Sequence, residues 1–241
     1  MNWTDEGIIL SAKSLADKSM VLSLLTKENG LHKGVVRLTK RTGSIEPGNH
    51  VHAIWKARLS EHLGTYTIEV NDTPIARIMT QGNRILLLKT VTTLLDMLLP
   101  ERHAYLVIYE YVKEIFSSLH TLANPLFSYV RFEHLLIHQM GFGFDLSKCA
   151  LCEKVCDLVY LSPKSGRGAC YTCGNPHKGK LFTYPWGIFD AAIMIDEEEQ
   201  RKRIREMLKI TGFFLSEYVI KQVRASAKMP MIREQMLEAF N

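Results

Sequence analysis

The chain reads Cys149-Ala150-Leu151-Cys152, then seventeen residues, then Cys170-Tyr171-Thr172-Cys173. Two C-x-x-C pairs at this separation have the spacing of a zinc ribbon. Two residues between cysteines let one tight turn aim both sulfurs at a point. Two such turns supply the four thiolates of a tetrahedral Zn2+ site. Turn formers surround the pairs: Ser162-Pro163, Gly166, Gly168, Gly174 and Pro176. A redox C-x-x-C needs only one pair, set in a thioredoxin-like βαβ context that is absent here. The expectation is one structural Zn2+ per chain on Cys149, Cys152, Cys170 and Cys173, closed to water and so not catalytic. Cys156, the odd cysteine, reads as a small buried apolar residue or as a substitute ligand if Cys152 is not used. His177 is a weaker substitute.

Working outward, this cysteine segment (residues 145–180) interrupts a helical pattern. Upstream, Ile85, Leu88, Val91, Leu95 and Leu98 recur at helical spacing until Pro100. Residues 105–119 read as a second helix. Pro125 opens a third, with Phe132, Leu135, Leu136 and Met140 on its apolar side and Gly141 at its end. Downstream, Tyr184-Pro185 restarts the helices. Residues 197–224 predict a long helix with Ile204, Leu208, Phe214, Leu215 and Val219 apolar. Its start, Glu197-Glu198-Glu199, suits the positive end of a helix dipole. A last helix is expected over 230–240.

The first eighty residues have a different rhythm. Short apolar runs at 7–10, 20–26, 33–38 and 65–70 read as strands, with Glu28-Asn29-Gly30 and Glu46-Pro47-Gly48-Asn49 as turns. The clearest strand alternates Val51, Ala53, Trp55, Ala57 and Leu59 with His52, Ile54, Lys56 and Arg58. Period two puts Lys56 and Arg58 on the face away from the core. Five short strands fit a small antiparallel barrel such as an OB-fold. The expected architecture is α+β: an N-terminal OB-fold barrel over 1–78, then a helical domain over 79–241 with the zinc ribbon inserted.

The 241 residues carry a formal net charge of +5, a balance compatible with nucleic acid. Between Lys27 and Arg58 stand seven bases (Lys27, Lys33, Arg37, Lys40, Arg41, Lys56, Arg58) against two acids, Glu28 and Glu46. All five cysteines fall between 149 and 173, unlike the spread of a secreted disulfide scaffold, which points to a reducing, cytoplasmic compartment. No signal peptide is visible at the start. The most apolar stretch, 85–99, contains Lys89 and Asp96 and is too short and polar to span a bilayer. Gly174 to Lys180 fits G-x-x-x-x-G-K, but Leu181 stands where a magnesium-binding hydroxyl belongs. His134 and His138 lie one helical turn apart with no evident third ligand and read as two partly buried helix histidines. No Ser/His/Asp set stands out. Missing motifs weigh little against catalysis, since catalytic groups need not be near in sequence.

Three stretches resemble the bacterial RecO recombination and repair family. They are Asp5-Glu6-Gly7-Ile8-Ile9-Leu10 with residues 20–26 and Gly30; Met140-Gly141-Phe142-Gly143-Phe144-Asp145-Leu146 leading into Cys149; and Leu161-Ser162-Pro163-Lys164-Ser165-Gly166-Arg167-Gly168 leading into Cys170. In many members some cysteines are lost, so the four retained here speak for a metal-bound member. The resemblance implies a non-enzyme, a nucleoid-associated DNA mediator. Such a protein binds single- and double-stranded DNA, anneals complementary strands and, with RecR, helps load RecA onto DNA coated by the single-stranded-DNA-binding protein. The DNA-binding candidates are Lys33, Arg37, Lys40, Arg41, Lys56 and Arg58. Of the aromatics, Trp3, Trp55 or Tyr66 could stack bases, although strand parity puts Trp55 in the core. The resemblance also implies docking of that protein's acidic C-terminal tail. The long helix offers Lys209, Phe213, Phe214, Val219, Lys221 and Arg224 for it. Two competing readings are a zinc-containing protein-interaction scaffold with incidental DNA contact, and a metal- or phosphate-dependent enzyme.

Overall fold

Apolar alternation sets five N-terminal strands: β1 Asn2–Ala16, β2 Ser19–Thr26, β3 Gly30–Arg37, β4 His50–Lys56 and β5 Gly64–Asp72. In the computed structural model, which describes residues 1–39, 42–59, 62–190, 196–223 and 225–240, they close into a barrel of order β1-β2-β3-β5-β4. Every neighbouring pair is antiparallel except β3 with β5. This is the expected OB-type barrel. β1 is longer than the run at 7–10 suggested. Its first half pairs with β4 and its second half with β2, with an irregularity between Ile9 and Ser11 where it turns from one to the other. Only Gly7 to Leu10 is buried throughout, so only that part reads as apolar.

The seam between β3 and β5 is set by glycine. Gly34 pairs with Gly64, and a side chain on either would strike an aromatic ring: Tyr66 over Gly34, Trp55 over Gly64. The same two rings tie their polar ends to β3. Trp55 Nε1 donates to the Lys33 carbonyl at 3.1 Å, and Tyr66 Oη to that of His32 at 3.1 Å. Around them pack Ile9, Leu22, Leu24, Val36, Val51, Ala53 and Ile68. The predicted alternation in β4 holds from Val51 to Lys56 and then stops. Leu59, expected inside, is 48% exposed because the strand has already ended.

The helices follow in chain order. They are α1 Pro74–Arg77, α2 Gly82–Leu98, α3 Leu106–Ser118 and α4 Pro125–Ile137, the last continuing into a π-helical turn, His138–Phe142. The cysteine segment then adds β6 Leu158–Leu161, β7 Gly168–Cys170, α5 Tyr171–Gly174, a 3-10 turn Asn175–Lys180 and β8 Phe182–Thr183. α6 Glu197–Phe214 runs through a π-helical turn, Leu215–Ile220, into α7 Lys221–Val223, and α8 Met231–Glu238 ends the chain.

Two compact units result: Met1–Pro125 with Pro230–Asn241, and Leu126–Met229. The first unit takes in α1 to α3 and α8 with the barrel. α2 packs on β1 and on α8, and it is buried on two stripes, Leu87 and Leu94 as well as Leu88, Val91, Leu95 and Leu98. A single-stripe reading found only the second. Thr90 Oγ1 also donates to the Ile232 carbonyl at 3.2 Å, fixing α8 beside α2.

In the second unit, Asp196 caps α6 by accepting from the Glu199 N–H at 2.8 Å, so the cap lies just ahead of the acidic run. α4 and α6 meet at a buried carboxylate. Glu133, fully buried, accepts from Tyr129 Oη and Thr211 Oγ1, each at 2.5 Å. Nothing in the apolar pattern marks a charge there.

Gly64→Ala should lower the stability of the first unit by about 1–3 kcal/mol, because the added methyl overpacks the Trp55 ring. Denaturant unfolding followed by tryptophan fluorescence measures it. An unchanged midpoint would show that the seam does not depend on that glycine.

Candidate metal centre and nucleic-acid interface

The cysteine segment folds back on itself through backbone pairing. Asp145 N–H donates to the Gly166 carbonyl at 2.9 Å, Gly168 N–H to Asp145 at 2.9 Å, and Ala150 N–H to Gly168 at 2.8 Å. This lays the first C-x-x-C turn against β7, whose end carries the second. A three-stranded sheet of order β7-β6-β8 completes the ribbon. Gly174 has to be small, because a side chain there would overlap the Tyr160 ring.

The four expected cysteines converge. The Sγ atoms of Cys149, Cys152, Cys170 and Cys173 all lie within 4.8 Å of one another. A tetrahedron with metal–sulfur bonds near 2.3 Å has edges of roughly 3.8 Å, so the cluster fits such an ion. The electrostatics fit as well. Burial raises the Cys149 thiol, but N–H groups of Cys152, Cys170 and Leu151 aimed at its sulfur outweigh this and bring it down to about 6. The Cys170 N–H is one of these donors, at 3.4 Å. Cys173 is pushed up to about 12 by hydrogen bonding with the sulfurs of Cys170 and Cys152 and by its own burial. Four sulfurs this close cannot all ionise alone, and a divalent cation removes that conflict. Cys156, expected to be buried or, were Cys152 not used, a substitute ligand, is exposed; its thiol donates to the Lys154 carbonyl at 3.6 Å and lies within hydrogen-bonding reach of Cys170, while Cys152 takes its place among the four converging sulfurs. Of its neighbours, Val155 is exposed and Leu158 enters the core. His177 is exposed.

The barrel's outer face carries the predicted bases. Lys56 pairs with Thr65, which pairs with Val35; Arg37 stands one residue beyond the Val36–Tyr66 pair and so level with Thr67. Parity turns Arg37, Lys56, Thr65 and Thr67 outward, and all four are exposed. Lys33 shares this parity but is held by Glu101 at 2.8 Å. Arg58 is exposed beyond the end of β4, while Lys40 and Arg41 lie outside the described residues. Lys18 was missed. It sits in the β1–β2 turn, its carbonyl accepting from Leu38 N–H at 2.8 Å, beside Arg37, which pairs with Ser19. A lone lysine in a two-residue turn gives no sequence signal; the pairing with β3 does. Trp55 and Tyr66 are core residues, and Trp3 is stacked on Trp55 with ring centroids 5.5 Å apart.

A family model described as Recombination protein O N terminal matches residues 1–73, and one described as Recombination protein O C terminal matches residues 79–227. The chain belongs to the RecO family. It is similar to the DNA repair protein RecO of Wolbachia pipientis subsp. Culex pipiens, 32% identical over 240 residues and 98% of each chain. It is likewise similar to that of Bartonella quintana, 32% identical over all of this chain and 98% of the other. The Mesorhizobium japonicum RecO is 34% identical over 91% of this chain and 86% of its own. Membership in the RecO family places the chain among recombination and DNA-repair proteins.

Of the long-helix candidates named from the RecO resemblance, Phe214 and Val219 are buried, so they cannot form a surface pocket. Phe213 is half-buried against Phe182, with ring centroids 5.3 Å apart. Lys209 is exposed, Lys221 is paired with Glu217 at 2.6 Å, and Arg224 lies outside the described residues. The G-x-x-x-x-G-K stretch does not form a phosphate cradle. Gly174 closes α5 and the rest is a 3-10 turn; the short strand β7 precedes it, but α5 stands between. His134 packs against Phe144 and Phe189, and burial pushes it down to about 4, while His138 is exposed.

Protein purified without chelator should contain one divalent ion per chain. Cys170→Ser should lose it and unfold the ribbon while leaving the barrel's tryptophan signal intact, since metal binding and local folding are coupled. Metal-free native protein would reject the site.

Proposed function

We propose that this protein is a non-enzymatic DNA mediator. It binds single- and double-stranded DNA, anneals complementary strands and, with RecR, helps load RecA onto single-stranded DNA in recombinational repair. It works in the cytoplasm, at the nucleoid. Family membership supports the repair role. The observation that carries the DNA reading is the outer face of β3, β5 and β4, where Arg37 and Lys56 flank the hydroxyls of Thr65 and Thr67. Lysine and arginine neutralise phosphates and release counterions, and threonine donates to phosphate oxygens without reading sequence. Lys33, Arg58 and Lys18 extend that face. The ion held by Cys149, Cys152, Cys170 and Cys173 is zinc, the metal that four thiolates in a tetrahedron favour, and its role is to hold the ribbon.

The partner surface for the acidic tail of the single-stranded-DNA-binding protein is assigned to the α6–α7 segment, with Phe213 as apolar contact and Lys209, Lys221 and Arg224 as steering charges. A labelled peptide with an acidic, apolar-ended tail should bind the parent and lose affinity when Lys209, Lys221 and Arg224 become Ala. Undiminished binding would move the tail elsewhere.

Arg37→Ala with Lys56→Ala should weaken single-stranded DNA binding and reduce the slope of log affinity against log salt by about 1.4, at roughly 0.7 per phosphate contact. Fluorescence anisotropy from low to physiological salt measures this. A slope equal to the parent's would remove this face from the interface.

A further inference from the structure

The cysteine ribbon carries a feature that metal binding does not explain. Two of its acids are committed to ion pairs: Glu153 with Lys148 at 3.7 Å, and Asp145 with Arg167 at 3.5 Å. Lys178 and Lys180, in the 3-10 turn Asn175–Lys180, are exposed and make no ion pair with the described residues. Tyr171, in α5 immediately ahead of that turn in the chain, is a large aromatic that is 61% exposed.

Tyr171 is backed by Tyr160, the ring planes 24° apart and the centroids separated by 6.5 Å. Tyr160 belongs to the ribbon core and is nearly buried. Its hydroxyl donates to Asn175 Oδ1 at 3.4 Å, and Asn175 opens the turn that carries the two lysines. One buried tyrosine thus neighbours both the exposed ring and the start of the basic turn. Thr172, Pro176 and His177 in the same stretch are also exposed.

We propose that Tyr171, Lys178 and Lys180 form a second contact for single-stranded DNA on the ribbon. A base stacks on the free face of Tyr171, and the lysines neutralise the flanking phosphates. Stacking on an aromatic ring beside cations is how single strands are held without sequence preference. An acidic peptide would use the same lysines but needs an apolar hole for its side chains, where this surface offers a flat ring. The inference rests on the mediator reading above and deepens it. Annealing brings two strands together, and the basic barrel face and this ring belong to different compact units. The barrel face takes one strand and the ribbon the other.

The test uses the full, metal-loaded chain with labelled complementary 30-mer oligonucleotides. Tyr171→Ala with Lys178→Ala and Lys180→Ala should slow annealing roughly tenfold, a conservative equivalent of one lost stacking contact. First-strand affinity should stay within about threefold of the parent. In the Arg37→Ala, Lys56→Ala background the same three changes should weaken the residual DNA binding further. Tyr171→Phe, which keeps the ring, should anneal like the parent. Lys178→Ala with Lys180→Ala alone, leaving the ribbon core untouched, should also slow annealing and lower its salt dependence. The proposal is overturned if the triple variant, with parental metal content and circular dichroism, anneals at the parental rate while the parent binds DNA through the barrel. It is equally overturned if that variant anneals normally but loses an acidic peptide, which would make the surface a protein site. A parent with no salt-dependent DNA binding would reject the mediator reading and this proposal together.

Discussion

The placement of Trp55 and Tyr66 over Gly64 and Gly34 is the constraint on which the barrel depends. A parallel β3–β5 contact is short and weak in itself, because few hydrogen bonds can form before the strands diverge. Two large rings resting on bare backbone, each anchored to a β3 carbonyl, turn that contact into a packed seam. The same seam sets the outer surface. Because Tyr66 and Trp55 point inward, Thr65, Thr67 and Lys56 point outward, and Arg37 comes level with them across β3. The basic face is the reverse side of the aromatic core.

The second unit solves a different problem. Its ribbon has a small core of Cys149, Leu158, Tyr160 and Ala169, with a three-stranded sheet whose strands are two to four residues long. So little apolar burial does not stabilise a fold unaided. Convergence of four thiols supplies what is missing, since the free energy of binding a cation is folding free energy at such a site. The helices around it do not share this need. α4 and α6 are joined through the hydrogen-bonded Glu133.

In the proposed reading the two units have separate tasks. The barrel presents charges from a rigid sheet, and the ribbon presents an aromatic ring and two lysines on a turn whose start neighbours Tyr160. In the proposed reading the barrel face offers phosphate contacts and the ribbon adds a stacking ring, contacts that tolerate any sequence.

Much of this was present in the sequence. Period-two alternation from Val51 to Lys56 determines which β4 residues enter the core, and helical spacing locates α2, α3 and α6, because burial of one face imposes a period on the chain. The paired C-x-x-C turns determine a four-sulfur site, because the geometry of each turn is local. Contacts between distant segments left no such mark. The length of β1 depends on its serving two neighbours, the burial of Glu133 on hydroxyls from α4 and α6, and the place of Lys18 on its turn meeting the end of β3. The exposure of Cys156 and Leu59 was likewise decided by where their elements stop. A periodic pattern records that a residue faces something. Only the tertiary structure decides what it faces, because that partner lies far along the chain and is chosen by packing.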